Sequence, residues 1–549
     1  MSEEAQDTTP TWRNYWPMFG FEPRPSQVTV MDWMENLPAD VKYVLCEIPV
    51  GGGKSPIALN YTGYLGKSLY TGSSFILTPQ RILQRQYEES FDPNLIASVY
   101  GKANYECKPK GTNCEIGSDI KPKCSACPAK NAFGTALSSP NMVMNYKLAL
   151  LNFQIRGPDL MGTRDLMVFD ECHTLEEFLT EHQAITISEN RCKYIGLEFK
   201  EQKKTDEAFQ WIIDVYIPAL NTKMQEISRT LYEINERSQY GEPLTNDDKR
   251  FIRRAKQLQD HKELLTWFSR KSLEDLHEEY VLVPDKTNFK FKELYGKRVF
   301  NSLVKPMANK FLFMSSTILN KDAFCQDLGI NPDEAAIISL DSEFPIESRP
   351  IYFMPTTKMA AGWNKPENKS EIDKMAKKIT DICNMHSDEC GVIHTGSFKI
   401  AEWVIREIQS NINQRIIHHN PESGLSRDDV IDEFTKNDGE EPMILVSPSV
   451  TEGLDLKYDA ARFTIFAKVP FPYMGDNWVK RRMDISKEWY QRQALVNVIQ
   501  GGGRVVRSDD DWGNVYILDS SFTFLYNTMK KHIPVWWKDS FTKVESKKD

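Results

Sequence analysis

The sequence lacks any apolar run of about 18 residues, the length a helix needs to cross a bilayer, so no membrane span is expected. It lacks a basic excess: the formal net charge is −9, which argues against a general nucleic-acid coat. A local basic groove stays compatible with that figure, because binding follows the patch and not the sum. The opening residues, Met1-Ser2-Glu3-Glu4-Ala5-Gln6-Asp7, are acidic and polar and carry no signal or transit pattern. The expected location is cytoplasmic or nuclear, or the host cytoplasm for a virus-encoded chain. Disorder is unsupported as well, since 40% hydrophobic and 26% charged residues are globular values. A chain of 549 residues has room for several domains with sizeable cores. Cysteine is sparse outside one segment: four of the ten fall within residues 107–127. In a reducing compartment these read as thiols or metal ligands before disulfides. Cys46, Cys172, Cys192, Cys325, Cys383 and Cys390 read as ordinary buried thiols.

What the chain does have is a strand, a glycine turn and a helix at Glu47-Ile48-Pro49-Val50-Gly51-Gly52-Gly53-Lys54-Ser55. The apolar run 43–46 leads in and a helical pattern at 56–61 leads out. This arrangement wraps backbone N–H groups around a phosphate chain. Lys54 then reaches the β- and γ-phosphates and the Ser55 hydroxyl ligates Mg²⁺. The strict spacing asks for glycine where Ile48 stands, so a flexible turn is the plainer alternative. A second apolar run, 166–169, delivers Asp170 and Glu171 to a strand end, followed by Cys172 and His173. In a nucleotide-binding sheet the Asp orders Mg²⁺ and the Glu takes a proton from attacking water. A helix N-cap at Asp170 or Thr174 is the plainer alternative. With Lys54-Ser55 upstream, the catalytic reading is preferred.

Elsewhere the pattern is buried strand, polar turn, helix, the unit of a parallel α/β sheet. Residues 74–77 form such a strand before Thr78-Pro79, and 310–314 another before Ser315-Ser316-Thr317. Later strands are expected at 391–393, 443–446, 464–467 and 515–518. Two stretches break the pattern. Residues 101–131 are rich in Lys, Gly, Pro and Cys and have no core of their own, so they need a staple. Cys107, Cys114, Cys124 and Cys127 supply one, and four thiolates suit either tetrahedral zinc or a 4Fe–4S cluster. Residues 176–300 turn to long charged helical patterns, with Met224, Ile227, Leu231 and Ile234 as an amphipathic stripe. Near the end, Gln500 precedes Arg504 and Arg507, which share a face on a helix and grip one anion. An exposed basic helix end is the plainer alternative there. Arg24 and Gln27, in a turn before a helix at 28–34, read by themselves as a solvated cap.

In this order the segments resemble a superfamily 2 helicase of the XPD/DinG class, the iron–sulfur DNA helicases. Arg24 and Gln27 resemble the adenine-side Q-type motif, Glu47–Ser55 the phosphate loop, and Thr78-Pro79 motif Ia. Asn145-Tyr146 resembles the pair that follows the cluster domain, and Asp170-Glu171-Cys172-His173 the DEAH-type box. Ser315-Ser316-Thr317 resembles motif III, and Thr451-Glu452-Gly453-Leu454-Asp455 motif V. Gln500, Gly503, Arg504 and Arg507 resemble motif VI. The likeness runs from about residue 19 to 530. Departures are Val50 for Thr, Ile48 for Ala, Ser55 for the commoner Thr, Cys172 and Ser316 for Ala, and Ser521 where Arg is frequent.

The resemblance implies two RecA-like parallel-sheet motor domains with an inserted iron–sulfur domain and a helical Arch domain. Motor domain 1 is expected at 1–100, 132–175 and 301–345, the cluster domain at 101–131, the Arch at 176–300 and motor domain 2 at 346–549. ATP is expected between the motor domains, held by Arg24, Gln27, Gly51, Gly52, Gly53, Lys54, Ser55, Asp170, Gly453 and Asp455. Lys54, Asp170, Glu171, Gln500, Arg504 and Arg507 form the expected catalytic set, and Ser55 and Asp170 the Mg²⁺ ligands. Cys107, Cys114, Cys124 and Cys127 are expected to hold a 4Fe–4S cluster, with zinc as the alternative. The implied activity is ATP-driven 5′ to 3′ translocation of a monomer on single-stranded and forked DNA. Competing classes are a DNA-stimulated ATPase that remodels or anneals without unwinding, and a relic scaffold, which predicts loss of Lys54, Glu171 or Arg504; all three are present.

Overall fold

The computed structural model describes residues 10–118, 120, 124–240, 242–419, 427–437, 439–448, 456, 458–503, 506 and 510–544. The chain first lays down β1 (Tyr43–Glu47), β2 (Ser74–Thr78), β3 (Ile96–Ser98), β4 (Asn141–Asn145) and β5 (Arg164–Asp170). It leaves to form β6 (Ile185–Ser188), β7 (Tyr280–Pro284) and β8 (Asn288–Glu293), then returns with β9 (Ala308–Ser315) and β10 (Ala335–Ser339). The first sheet has the order β10-β1-β9-β5-β2-β4-β3, parallel throughout. Every residue of β1 and β2 is buried, which is why they read as unbroken apolar runs: helices cover both faces. In register, Glu47 lies opposite both Ser315 and Ser339, so three strand ends meet at the phosphate loop.

A second parallel sheet comes next, from β11 (Ile351–Thr357), β12 (Gly391–His394), β13 (Arg415–His418), β14 (Met443–Ser447), β15 (Phe463–Phe466), β16 (Asn514–Asp519) and β17 (Phe541–Lys543). Its order is β13-β14-β12-β15-β16-β11-β17. The four strands expected from sequence are β12, β14, β15 and β16, each within one or two residues of its expected bounds.

The helices that carry or brace functional side chains are α1 (Pro25–Glu35), α2 (Lys54–Leu65), α3 (Leu175–His182), α4 (Ile217–Gln239), α5 (Asn246–Phe268), α6 (Lys321–Leu328), α7 (Asn477–Ile485) and α8 (Lys487–Gly502). The 176–300 stretch is not purely helical as expected. The α4–α5 pair stands on an antiparallel sheet, β6-β8-β7, whose apolar residues Ile185, Ile187, Phe289 and Phe291 pack with Leu258, Leu265 and Phe268 of α5. The alternation Phe289-Lys290-Phe291-Lys292 is a period of two, buried on one face and more exposed on the other, so the strand signal is present but outweighed by the long helical stripes beside it.

The cysteine segment folds as two two-residue strands, Glu106–Cys107 and Thr112–Asn113, with short helices on either side. It docks on the α4–α5 pair. Ile116 and Ile120 pack with Ile234 and Ile252, and Lys249 Nζ donates to the Gly111 carbonyl at 2.7 Å. Among the described residues no helix is long and apolar enough to cross a membrane.

Candidate active site

The phosphate loop turns on glycines that adopt φ angles of 80° at Gly51 and 67° at Gly53, a region that favours glycine. Gly53 is the N-cap of α2, so the helix N-terminus opens into the loop. A Cβ on Gly53 would lie 2.3 Å from Gln27 Nε2, so a side chain there would displace the Gln27 amide as well as strain the backbone. Gln27 is buried, and its amide donates to the Gly53 carbonyl at 2.9 Å. Arg24 Nη1 donates to the Gly51 carbonyl at 2.6 Å. Both residues expected beside the base therefore brace the loop itself.

Lys54 Nζ is ion-paired with Glu171 and lies 3.7 Å from Asp170 Oδ1. Burial opposes the ammonium, but Glu171 and Asp170 outweigh it and hold its pKa above the ordinary lysine value. Burial likewise opposes the charge on Glu171, yet Lys54 and His173 overcome it and hold the carboxyl well below its usual range. The neighbouring Asp170 moves the other way, raised by burial and by the adjacent Glu171 against the pull of Lys54. Glu171 has φ 52°, rare for a residue with a side chain. Such strain persists only where the surroundings over-determine it. Here the Thr174 hydroxyl donates to the Glu171 carbonyl at 3.0 Å, and the Glu171 N–H donates to Asp170 Oδ1 at 3.0 Å.

Two tyrosines that sequence reasoning left without a role fix Asp170. The Tyr146 hydroxyl donates to the Asp170 carbonyl at 2.6 Å. The Tyr87 hydroxyl donates to Asp170 Oδ2 at 3.3 Å and also meets the Ser55 hydroxyl. Ser55 and Asp170, the two expected Mg²⁺ ligands, thus share one phenol, and oxygen donors of this kind suit that hard cation.

A polar relay leads from the box to the second sheet. His173 Nδ1 lies 3.3 Å from Glu171 Oε2, 2.9 Å from Ser315 Oγ and 3.3 Å from Gln500 Nε2. Gln500, near the end of α8, donates to Ser316 Oγ at 3.0 Å and to Thr317 Oγ1 at 2.8 Å. Gly503 abuts Val50 of the phosphate loop, since a Cβ there would lie 3.3 Å from Val50 Cγ2. The structure therefore brings Lys54, Ser55, Asp170, Glu171 and Gln500 into one cleft. Gly453, Asp455, Arg504 and Arg507 lie outside the described residues, and α8 ends at Gly502, before both arginines.

Glu47 is the other residue whose role needed the fold. Its buried carboxylate accepts from the N–H groups of Ile318 and Leu319 at 2.9 and 2.8 Å, and from Ser339 Oγ at 2.7 Å. Leu319 has φ 62° and packs its side chain into the core of the second sheet. The strand that carries the phosphate loop is in this way tied to the core of the second sheet.

The four clustered cysteines gather in a small core with Ala129 and Tyr105. Cys107 and Cys124 sulfurs stand 3.6 Å apart, and the Cys114 and Cys127 thiols are hydrogen-bonded partners. Burial pushes the Cys107 thiol up to about 11, and raises Cys114. Cys127 falls below its ordinary value, because the Lys130 and Ala129 backbone N–H groups and the Cys114 thiol outweigh burial. Among the described residues no three such side chains already stand in a metal-holding arrangement. The thiols pair two and two. A four-thiol donor set still matches what zinc or a 4Fe–4S cluster requires.

Two family descriptions match the chain: a helicase C-terminal domain over residues 379–540, and the res subunit of type III restriction enzymes over residues 20–199. The ATP-dependent DNA helicase YoaA of Escherichia coli is 22% identical over 461 residues, covering 74% of this chain and 68% of that protein. MJ0942 of Methanocaldococcus jannaschii, named as a probable ATP-dependent helicase, is 23% identical over 605 residues, covering 87% and 88%. A solved XPD helicase aligns over 95% of this chain and 100% of its own with TM-score 0.58 at 15% identity. The Xpd4 structure of S. tokodaii aligns over 95% and 100% with TM-score 0.54 at 14% identity. These likenesses and the two-sheet cleft agree: the chain is an ATP-hydrolysing DNA helicase with two RecA-like domains, similar to the XPD/DinG-like superfamily 2 helicases.

Proposed function

We propose that this helicase is a monomeric motor that moves 5′ to 3′ along single-stranded DNA and opens forked duplexes. The observation that carries the reading is the relay from Lys54 through Glu171 and His173 to Gln500, because it joins the phosphate loop of one sheet to a helix of the other. In this relay Lys54 and Glu171 neutralise each other. A bound nucleotide offers Lys54 its phosphates, which frees Glu171 to orient and deprotonate the attacking water. Mg²⁺, when bound, neutralises charge developing on the phosphates. Ser55 and Asp170 are the residues that hold it, and Tyr87 sets their spacing. We assign the γ-phosphate contacts from the second motor domain to Arg504 and Arg507, with Gln500 reporting cleft closure to Ser316 and Thr317. Gly453 and Asp455 are assigned to the nucleotide on resemblance alone.

For the DNA strand we favour a cavity of about 1070 Å³ at the ends of β11, β12, β15 and β16. Lys358, Lys399 and Lys468 line it together with Trp363, Tyr473 and Phe524. Lysines that meet phosphates and aromatics that stack bases are the means of sequence-tolerant single-strand binding. Tyr473 is 79% exposed and Phe524 58%, so both rings are free to stack.

Motor domain 1 is assigned to 1–100, 132–175 and 301–345, motor domain 2 to 346–549, the cluster segment to 101–131 and the Arch to 176–300. The four cysteines are assigned to a 4Fe–4S cluster. Anaerobically purified protein should then be brown; colourless protein with one zinc per chain would replace the cluster with zinc. The proposed location is cytoplasmic or nuclear.

The reading is tested by ATP hydrolysis with and without single-stranded DNA, and by unwinding of a forked duplex. Absence of DNA-stimulated hydrolysis in the wild type would sink the motor. Stimulated hydrolysis with no unwinding would leave an ATPase that remodels or anneals DNA.

A further inference from the structure

Away from the nucleotide cleft, three parts of the chain meet at one buried guanidinium. Arg482 sits on α7 and is 2% exposed. Its Nη2 lies 2.8 Å from Glu176 Oε1 and 2.8 Å from Asp327 Oδ1, and its Nη1 donates to the Leu294 carbonyl at 3.1 Å. Tyr295, Trp489 and Trp478 surround it, with ring centroids 4.4, 4.8 and 5.6 Å from the guanidinium carbon. Arg492 of α8 is ion-paired with the other oxygen of Asp327, and Trp489 Nε1 donates to Glu176 Oε2 at 3.2 Å. Two carboxylates thus face two guanidiniums. Burial and the neighbouring Asp327 push the Glu176 carboxyl up to about 7, a desolvation cost that hydrophobic residues would avoid, so such a set is better explained by the arrangement it specifies than by stability.

The elements that supply these groups are informative. Glu176 is on α3, five residues after Glu171. Asp327 is on α6, which follows Ser315-Ser316-Thr317. Trp489 and Arg492 are on α8, whose far end carries Gln500; a helix of eight residues from Arg492 spans about 12 Å. The box residues Glu171 and His173, the Ser315–Thr317 turn and Gln500 therefore each precede or sit on a helix that supplies a group to the Arg482 cluster, while Lys54 on α2 does not. The fourth contact points elsewhere. Leu294 follows β8, in the sheet that carries the α4–α5 pair. The same helix holds that sheet twice more: Trp478 Nε1 donates to the Glu293 carbonyl at 2.7 Å and Asn477 Nδ2 to the Leu282 carbonyl at 3.1 Å.

We infer that Arg482 is a positioning residue that transmits closure of the nucleotide cleft to the base of the helical insertion, so that hydrolysis is coupled to strand separation through it. The inference rests on the proposed helicase motor.

The test compares wild type, Arg482→Gln, Arg482→Lys and Trp478→Phe, all as full chains. Trp478→Phe removes the tether to Glu293 and leaves the ion pairs in place, so it guards against a misfolded Arg482→Gln. Lysine keeps one charge but loses the planar fork that serves Leu294 and both carboxylates together. Single-stranded-DNA-stimulated hydrolysis should stay within about threefold of wild type in Trp478→Phe and Arg482→Lys, while forked-duplex unwinding falls about tenfold, the size of change expected along a coupling route. Hydrogen exchange over residues 280–294 is followed in parallel, with a non-hydrolysable ATP analogue, Mg²⁺ and single-stranded DNA added together. Wild type should show altered protection there on addition and Arg482→Gln should not. Equal losses of hydrolysis and unwinding, or no loss of either, would overturn the inference. So would a wild type whose exchange at 280–294 ignores the nucleotide. A wild type that changes protection but opens no duplex would instead count against unwinding and leave the mechanical link in place.

Discussion

Lys54 faces Glu171 directly, so the two residues that the sequence assigned to different jobs neutralise each other. Lys54→Ala removes the phosphate contact and takes the shared ammonium from buried Asp170 and partly buried Glu171, leaving Glu171 only His173 at 3.3 Å. DNA-stimulated hydrolysis should fall by at least about 10²-fold, the scale of losing one preorganised electrostatic contact. Thermal melting should also drop, because breaking one side of a buried pair is destabilising. The pH dependence of melting comes from the two shifts. Glu171 is held below its ordinary value of 4.5, so its share of stability is present above that value and is lost as the solution is acidified through it. Lys54 is held above its ordinary 10.5, so its share is present below that value and is lost on going more alkaline. Asp170 works against the acid limb, because its carboxyl is raised. Glu171→Gln should therefore flatten the acid side of the melting profile between about pH 5 and 3 relative to wild type. Tyr87→Phe deletes only the hydroxyl between Ser55 and Asp170. It should raise the Mg²⁺ concentration needed for half-maximal hydrolysis by about tenfold, as outer-shell partners typically do. Lys54, Asp170 and Glu171 were legible because their chemistry and spacing are local. Tyr87 was not, and Tyr146 and Glu47 were legible only as motif letters, since what a phenol or carboxylate holds is hidden until a distant strand end arrives beside it.

At the scale of elements, the parallel strands announced themselves as apolar runs because both faces are covered, and β12, β14, β15 and β16 lie close to where such runs end. Short or partly exposed strands such as β3, β13 and β17 carry no comparable run, and their place comes only from the neighbour they pair with. The base sheet β6-β8-β7 was hidden for a different reason. Its pairing joins residues near 186 to residues near 290, and no local pattern encodes that closure. The cysteine segment has little apolar core beyond its thiols, Ala129, Tyr105 and the two isoleucines that touch the α4–α5 pair. Removing the metal proposed for it, by chelation or oxidation, should therefore open residues 105–130 to limited proteolysis, while Lys54-dependent hydrolysis without DNA persists. Cutting elsewhere first would show that the segment is held by other means.

For the whole molecule, what sequence could not supply was how the parts bear on one another. Glu47 is recognisable as a motif letter, yet its carboxylate holds Leu319 in a strained turn whose side chain is seated in the opposite core. Glu47→Ala leaves the Ile318 and Leu319 N–H groups buried without an acceptor and should cost about 1–3 kcal/mol for each, read as a lowered melting temperature. Glu47→Gln keeps an acceptor and should recover much of it. The order of the first sheet has a further consequence, for the chain as it is made on the ribosome. Among the described residues the only strand neighbours of β1 are β9 and β10, and both lie beyond the cysteine segment and the helical insertion. At roughly 5–20 residues per second, the strand bearing the phosphate loop waits on the order of 10–50 s after its own synthesis for a partner to emerge. Nascent chains arrested before Ala308 should thus be unable to retain ATP, and through that interval the unpaired β1 is the stretch most in need of a chaperone.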